Sequence, residues 1–171
     1  NSIHVGGGRD NVITNNIIVN PGNNALRFDD RAREGALENG WFTHAYVGSG
    51  DMWEALYNSP WQSETWQNAF PEYKNCTDDI SKADSPDYIP NPASTFKNNI
   101  IINKNMDYGE IYSSVWTFSD ISENAIYNVG KCDEIFMDID NGDYNIKDID
   151  EIRKDAPDFK EIPLDMIGRV N

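Results

Sequence analysis

Carboxylates stand beside arginines at two predicted turns, at Asp10 and at the pair Asp29 and Asp30. Arg9 precedes the first turn and Arg31 follows the second. Two carboxyl groups about 5 to 9.5 Å apart can cleave a glycosidic bond, provided that their surroundings separate their pKa values. Neighbouring residues reach that separation only if the chain bends between them. We therefore expect one member of the pair to act with Asp10, or with a carboxylate outside this sequence. The two arginines would position the substrate. Outward salt bridges without catalytic function explain the same residues equally well.

Histidine and tryptophan supply the other candidate binding groups. His4 lies between the apolar residues Ile3 and Val5, so strand alternation predicts that it faces outward. His44 and Trp41 belong to a segment rich in tryptophan. An aromatic ring matches the C–H face of a sugar, and a histidine can hold a hydroxyl, so we expect all three to bind substrate. Solvated or packed histidines and a small tryptophan core are the plainer alternative.

One pattern occurs three times: an apolar residue, two variable positions, asparagine, any residue, isoleucine, any residue and asparagine. Its copies are ITNNIIVN (13–20), FKNNIIIN (96–103) and ISENAIYN (121–128). The last two copies are 25 residues apart, a period typical of stacked repeats. Short runs rich in Ile, Val and Phe, bounded by Asn, Gly and Asp, indicate strands. The sequence therefore predicts an all-β fold, a right-handed parallel β-helix with a pectate-lyase-like solenoid. An antiparallel β-sandwich remains the alternative.

The repeat also predicts a register. Phe28, Ile111 and Phe136 each lie twelve residues after the inner asparagine of their copy and should form one interior column. Arg27 aligns with Glu110, and the two should face each other outside that column. In each copy the inner asparagine can bond to its equivalent in the next layer, and asparagine tolerates the left-handed backbone of a sharp corner.

We interpret residues 1–171 as one domain, the C-terminal portion of a longer β-helix. Residues 1–30 and 95–137 form its coils, and 31–94 form an aromatic, partly helical insertion. Within the insertion, Asp51-Met-Trp-Glu54 predicts one helix start. Ser59-Pro60-Trp61-Gln62 predicts another, with Ser59 as N-cap and a helix that passes Trp66 and ends before Pro71. Residues 138–171 are expected to cap the stack, with an acidic turn at 138–143.

Charge and composition exclude several classes of protein. The 14 Lys and Arg against 29 Asp and Glu give 14 − 29 = −15, which argues against nucleic acid and anionic membranes as partners. No apolar run reaches the roughly 20 residues of a membrane span, and no signal peptide is visible. Cys76 and Cys132 lack metal-ligand spacing, and whether they pair cannot be read from the sequence. We expect no metal site and no cofactor.

The segments IHVGGGRDNVITNNIIVN (3–20), ALRFDDR (25–31), SPWQSETWQNAFPEY (59–73) and the closing PDFKEIPLDMIG (157–168) form a recognisable combination. It resembles the C-terminal part of secreted bacterial β-helix proteins, akin to glycoside hydrolase family 141 and relatives. The resemblance implies a secreted or periplasmic protein that degrades polysaccharides with carboxylates in a cleft, and upstream coils of the same β-helix as neighbours. Relatives usually have Gly-Trp within a few residues of the FDDR motif, whereas AREGALENG separates Arg31 from Trp41 here.

Three functions follow from these expectations. A glycoside hydrolase is the first. The second is a non-catalytic β-helix that binds glycans with the same residues. A polysaccharide lyase is the third; lyases of this architecture commonly use calcium and a basic residue on acidic substrates, which suits a chain of net charge −15 less well.

Overall fold

A computed structural model describes residues 1–30, 55, 58–76 and 92–164. Its strands are β1 (Ile3–Val5), β2 (Val12–Thr14), β3 (Ile17–Val19), β4 (Leu26–Phe28), β5 (Thr95–Lys97), β6 (Ile100–Asn103), β7 (Gly109–Ile111), β8 (Ala125–Asn128), β9 (Phe136–Asp138) and β10 (Asp143–Ile146). Its helices are α1 (Glu64–Ala69), α2 (Ser113–Phe118), α3 (Cys132–Ile135) and α4 (Ile149–Ile152). Short 3-10 helices span Pro71–Asn75, Val129–Lys131 and Ile139–Asn141.

Three of the sheets are parallel, and one of them pairs equivalent positions of the three copies of the sequence pattern. Their strand orders are β1-β4-β7, β2-β5 and β3-β6-β8. Ile18 pairs with Ile101, and Ile101 pairs with Ile126, which confirms the alignment of the three copies. The column expected from Phe28 and Ile111 is also present, and Arg27 pairs with Glu110.

The predicted all-β fold, a parallel β-helix with a pectate-lyase-like solenoid, is wrong. The described residues combine short strands with four α-helices, and the strands form four separate sheets of two or three strands. The sheet of β9 and β10 is antiparallel. Helix α2 follows β7, and α3 and α4 lie beyond Asn128. The repeat therefore determines local pairing over part of the chain, and the fold is mixed α and β.

The inner asparagines form a row of hydrogen-bonded amides. Asn16 Nδ2 donates to Asn99 Oδ1 at 2.9 Å, and Asn99 Nδ2 donates to Asn124 Oδ1 at 2.9 Å. The left-handed backbone lies one position earlier than predicted, with φ of 59° at Asn15 and 52° at Asn98. The inner asparagines therefore come directly after the corner residues and do not form the corner themselves.

Two apolar cores lie on opposite faces of the sheet β3-β6-β8. Ile18 and Ile101 join Phe28 in one core, while Ile100 and Ile102 join Phe136 in the other. Successive residues of a strand point to opposite faces, so a strand buried on both sides is apolar throughout. The prediction that Phe136 continues the Phe28 column is wrong, because β9 pairs with β10 and lies in the second core.

The C-terminal segment supplies much of this second core. Ile152, Ala156 and Phe159 are buried there against the outer face of β6 and β8. The acidic residues form the expected turn, in which Asp138 accepts a hydrogen bond from Asn141 N at 3.3 Å. The segment thus covers one face of the sheet β3-β6-β8.

In the described part of the insertion, the predicted helix begins later than expected. Ser63, not Ser59, is the N-cap of α1 and accepts a hydrogen bond from Trp66 N at 3.3 Å. The helix start predicted at 51–54 lies outside the described residues. Among the described residues, no helix has the length and apolar character needed to cross a membrane.

Candidate functional site

The middle residues of β1, β4 and β7 form a row of polar side chains on the outer face of their sheet. His4 pairs in register with Arg27, and Arg27 with Glu110. The Arg27 guanidinium lies 3.4 Å from the Glu110 carboxylate, which confirms the outward pair that the repeat predicts. Because the strands are parallel and in register, side chains of like position stand one above another. A histidine, an arginine and a glutamate are thereby brought together.

Asp29 follows β4 directly and contacts two members of this row, His4 and Arg27. Its carboxylate accepts a hydrogen bond from Arg27 Nε at 2.9 Å and lies 3.1 Å from His4 Nε2. These contacts place it on the outer side predicted by alternation, but the residue is only 2% exposed. The hydrogen bond that Arg27 donates to Asp29 and the charges of Asp29 and Glu110 raise the pKa of Arg27 further above its ordinary value. Arg27 is therefore a permanent cation held between two acidic groups.

Asp30 occupies different surroundings. Ser114 Oγ donates to Asp30 Oδ2 at 2.7 Å, and Asp30 is also 2% exposed. Ser114 belongs to α2, which packs Val115 into the core that contains Phe28. The helix thus aims a hydroxyl at Asp30, and the Arg27 guanidinium faces Asp29.

The third predicted catalytic residue lies in a separate cluster. Arg9 Nε donates to Asp10 Oδ2 at 2.8 Å and lies 3.1 Å from Glu72 Oε1. Asp10 is 66% exposed and leads into β2, whereas Asp29 follows β4 in another sheet. The backbone of Asp10 has a φ of 60°. The predicted cooperation of Asp10 with Asp29 or Asp30 stays a prediction; Arg9 is the residue that engages Asp10 here.

Three predicted binding residues, Arg31, Trp41 and His44, lie outside the described residues. Of the tryptophans that are described in the insertion, Trp61 is buried and Trp66 packs on Phe70 with ring centroids 5.3 Å apart. These two therefore fit the interpretation as a small core.

Sequence reasoning missed Ser114 and Glu72 as partners of the candidate residues. Neither stands in a repeated motif, and each reaches its partner across many residues: Ser114 is 84 positions from Asp30. Only the register of β4 and β7 could have indicated Ser114. Because Phe28 pairs with Ile111, the residues after β4 and those that begin α2 leave the same sheet at corresponding positions. Among the described residues, no group of three or more acidic, histidine or cysteine side chains is arranged to hold a metal ion.

No family model, curated protein or solved structure matches this chain. The resemblance to glycoside hydrolase family 141 thus stays a prediction.

Proposed function

We propose that this protein acts on a polysaccharide outside the cell or in the periplasm and hydrolyses glycosidic bonds with Asp29 and Asp30. Hydrolysis needs a proton donor and a carboxylate that attacks the sugar or activates water. In this mechanism Asp29 attacks the sugar or activates water, and Asp30 donates the proton. His4 and Arg27, two partners of Asp29, orient the sugar hydroxyls.

One observation supports the proposal: the described hydrogen bonds of the two adjacent carboxylates come from donors of different kinds. Arg27 gives Asp29 a charge-assisted hydrogen bond at 2.9 Å, an arrangement that stabilises a carboxylate. Asp30 accepts a hydrogen bond at 2.7 Å from the hydroxyl of Ser114, which is a neutral donor. Unlike environments are the general means by which two acidic groups take different roles in one reaction.

Reducing-sugar release against a panel of polysaccharides tests the proposal. We expect Asp29→Asn and Asp30→Asn each to lower the rate by about 100-fold or more, since general acid–base catalysis contributes about that much. Asp140→Asn, an exposed carboxylate in the Ile139–Asn141 turn, is the matched control and should retain full activity. Asp10→Asn tests the pairing that the sequence predicts. Activity that survives both substitutions at 29 and 30 would remove the site assignment.

Glycan binding without catalysis is the second candidate, and the burial of the carboxylates favours it. Asp29 and Asp30 are both 2% exposed, whereas the side chains of His4 and Glu110 are 41% and 50% exposed. If the protein only binds glycans, affinity electrophoresis will detect retention by a polysaccharide while no product forms. Arg27→Ala would then reduce retention, and Asp30→Asn would leave it unchanged.

The same panel also tests the lyase alternative. A lyase leaves an unsaturated sugar that absorbs ultraviolet light, whereas hydrolysis leaves none. Release of such a product would reject the hydrolytic roles given to Asp29 and Asp30.

A further inference from the structure

Glu110 is an exposed acidic residue at one end of the row that also contains His4 and Arg27. The sheet order β1-β4-β7 makes Arg27 the middle member, and the Glu110 side chain is 50% exposed. Neighbouring strands lie about 4.8 Å apart, so the row extends over roughly 10 Å of the outer face. A sugar chain laid across this face would reach Arg27 and Glu110 together.

Arg27 and Glu110 both have hydrogen-bonding capacity beyond the contacts that the structure describes. Arg27 directs Nε to Asp29 at 2.9 Å and Nη1 to Glu110 at 3.4 Å, whereas a guanidinium carries five N–H donors. A carboxylate has about four acceptor positions, and among the described residues Arg27 is the ion-pair partner of Glu110. Since the Arg27 side chain is 34% exposed, both groups can also bond to a ligand from the solvent side.

The hydroxyls of a neutral sugar match this pair of groups. A hydroxyl both donates and accepts hydrogen bonds. One hydroxyl of a sugar ring can therefore accept from the Arg27 guanidinium while its neighbour donates to the Glu110 carboxylate. Hydrogen bonds with one charged partner are shorter and stronger than those between neutral groups, so both contacts would favour binding.

The carboxylate of an acidic sugar matches the same pair poorly. An ionised carboxylate only accepts hydrogen bonds, so it could bond to Arg27 but not to Glu110. The Arg27 guanidinium already faces the carboxylates of Asp29 and Glu110. A further carboxylate at this guanidinium would lie close to Glu110, and like charges brought together at a binding site oppose binding.

We propose that Glu110 determines the specificity of this site for neutral polysaccharides. It accepts hydrogen bonds from sugar hydroxyls beside Arg27, and it repels the carboxylates of acidic sugars. This inference rests on the proposed function, since it names the class of substrate that the same site would take. Glu110 selects the sugar and takes no part in the proton transfer.

The alternative is that Glu110 only pairs with Arg27 and has a structural role. Exposed ion pairs contribute little to stability, so Glu110→Gln should leave the midpoint of thermal unfolding almost unchanged. The substitution keeps the shape of the side chain and one hydrogen-bonding oxygen, and it removes the charge. A change in sugar preference would therefore report on recognition and not on folding.

Matched pairs of polysaccharides test the proposal by affinity electrophoresis with the full chain. Each pair consists of a neutral polymer (galactomannan, xyloglucan or pullulan) and the same polymer after oxidation of its primary hydroxyls to carboxylates. We expect the wild-type protein to bind at least one neutral polymer more tightly than its oxidised form. Glu110→Gln should reduce this ratio of affinities by about tenfold, because it weakens the contact with the hydroxyls and removes the repulsion.

A matched control accounts for the charge of the whole protein. With a net charge of −15, the chain repels any acidic polymer. Glu134→Gln removes the same charge from an exposed glutamate of α3, which pairs with Lys131 at 2.6 Å and is not a member of the row. This variant should leave the ratio of affinities unchanged.

The outcomes separate this inference from the proposed function. If the wild-type protein binds oxidised polymers as tightly as neutral ones, or if Glu110→Gln changes the ratio no more than Glu134→Gln does, the inference is overturned and the proposed function stands. The wild-type comparison needs no variant, so it remains decisive if Glu110→Gln does not fold. If no polymer of either kind is retained and no product forms, the proposed function fails and the inference fails with it.

Discussion

Asn99 Nδ2 donates to Asn124 Oδ1 over 2.9 Å, between residues that are 25 positions apart in the sequence. Asn99 is completely buried, and its side-chain amide also lies 2.9 Å from Lys97 O. Removal of this amide would leave buried backbone groups without their partner, which costs about 1 to 3 kcal/mol for each group. The row is therefore expected to contribute strongly to stability.

Asn99→Ala should accordingly lower the free energy of unfolding by about 2 to 4 kcal/mol, measured by urea denaturation. Asn16→Ala, at the half-buried end of the same row, is the matched control and should cost roughly 1 kcal/mol or less, because water can replace its bonds. Equal losses for the two variants would contradict a row whose energy depends on burial.

The sequence predicts features that depend on repetition. The pairing of Asn16, Asn99 and Asn124 follows from their equivalent positions in the three copies of the pattern, because paired copies place equivalent residues in contact. Phe136 shows the limit of that reasoning. Like Phe28, it lies twelve residues after the inner asparagine of its copy. The chain beyond β8 forms helix α3 and an antiparallel pair of strands, however, so Phe136 lies in a different core from Phe28.

The candidate site was predictable only in part, for a related reason. The outward direction of Asp29 follows from strand alternation, and the Arg27–Glu110 pair follows from register. The burial of Asp29 and the bond from Ser114 to Asp30 depend on tertiary packing around a connection that has no repeated counterpart in the sequence. Local pattern carries no information about such contacts.

The separation of the two cores predicts how core substitutions combine. Phe28 and Ile111 are register neighbours in one core, and Phe136 lies in the other. Phe28→Leu and Phe136→Leu should therefore have additive effects on the unfolding free energy, within about 0.5 kcal/mol. Phe28→Leu and Ile111→Val should deviate from additivity by more than that, because each alters the packing of the other.

A double-mutant cycle for each pair, measured by urea denaturation, makes this comparison. The pair of register neighbours is the positive control for the distant pair. Strong coupling between positions 28 and 136 would contradict the separation of the two cores.

Asp120 should make stability depend on pH in the acid range. The hydrogen bond from Ser122, together with that from Lys97, lowers the pKa of Asp120 below its ordinary 3.8. Since the folded protein binds this proton less readily than the unfolded chain, the contribution is present above about pH 3.8 and disappears as the pH falls through the lowered pKa. The contribution is small because the side chain is 51% exposed and screened by solvent.

Asp120→Asn should therefore destabilise the protein slightly at pH 6 and have no effect at the acid end, where the wild-type carboxylate is protonated. Thermal unfolding of both proteins across this range measures the difference. Asp140→Asn is the control for loss of an exposed charge and should not reproduce the pH dependence. A difference that grows toward low pH would have the wrong sign and would contradict the assignment.

Cys76 should react slowly with thiol reagents in the folded protein. Burial, and secondarily the charge of Glu72, raise the pKa of the Cys76 thiol to about 11. The thiolate is the reactive form, so at pH 8 only about one thiol in a thousand is ready to react. The rate of alkylation by iodoacetamide should thus be about 100-fold or more below that of the chain unfolded in urea.

Mass spectrometry of the alkylated peptides follows Cys76 separately from Cys132, which is also a free thiol in the structure. Glu72→Gln removes the secondary cause and should accelerate the reaction of Cys76, while the rate at Cys132 stays unchanged and serves as the internal control. A folded-state rate within about tenfold of the unfolded rate would mean that the Cys76 thiol is not held in the buried environment described here.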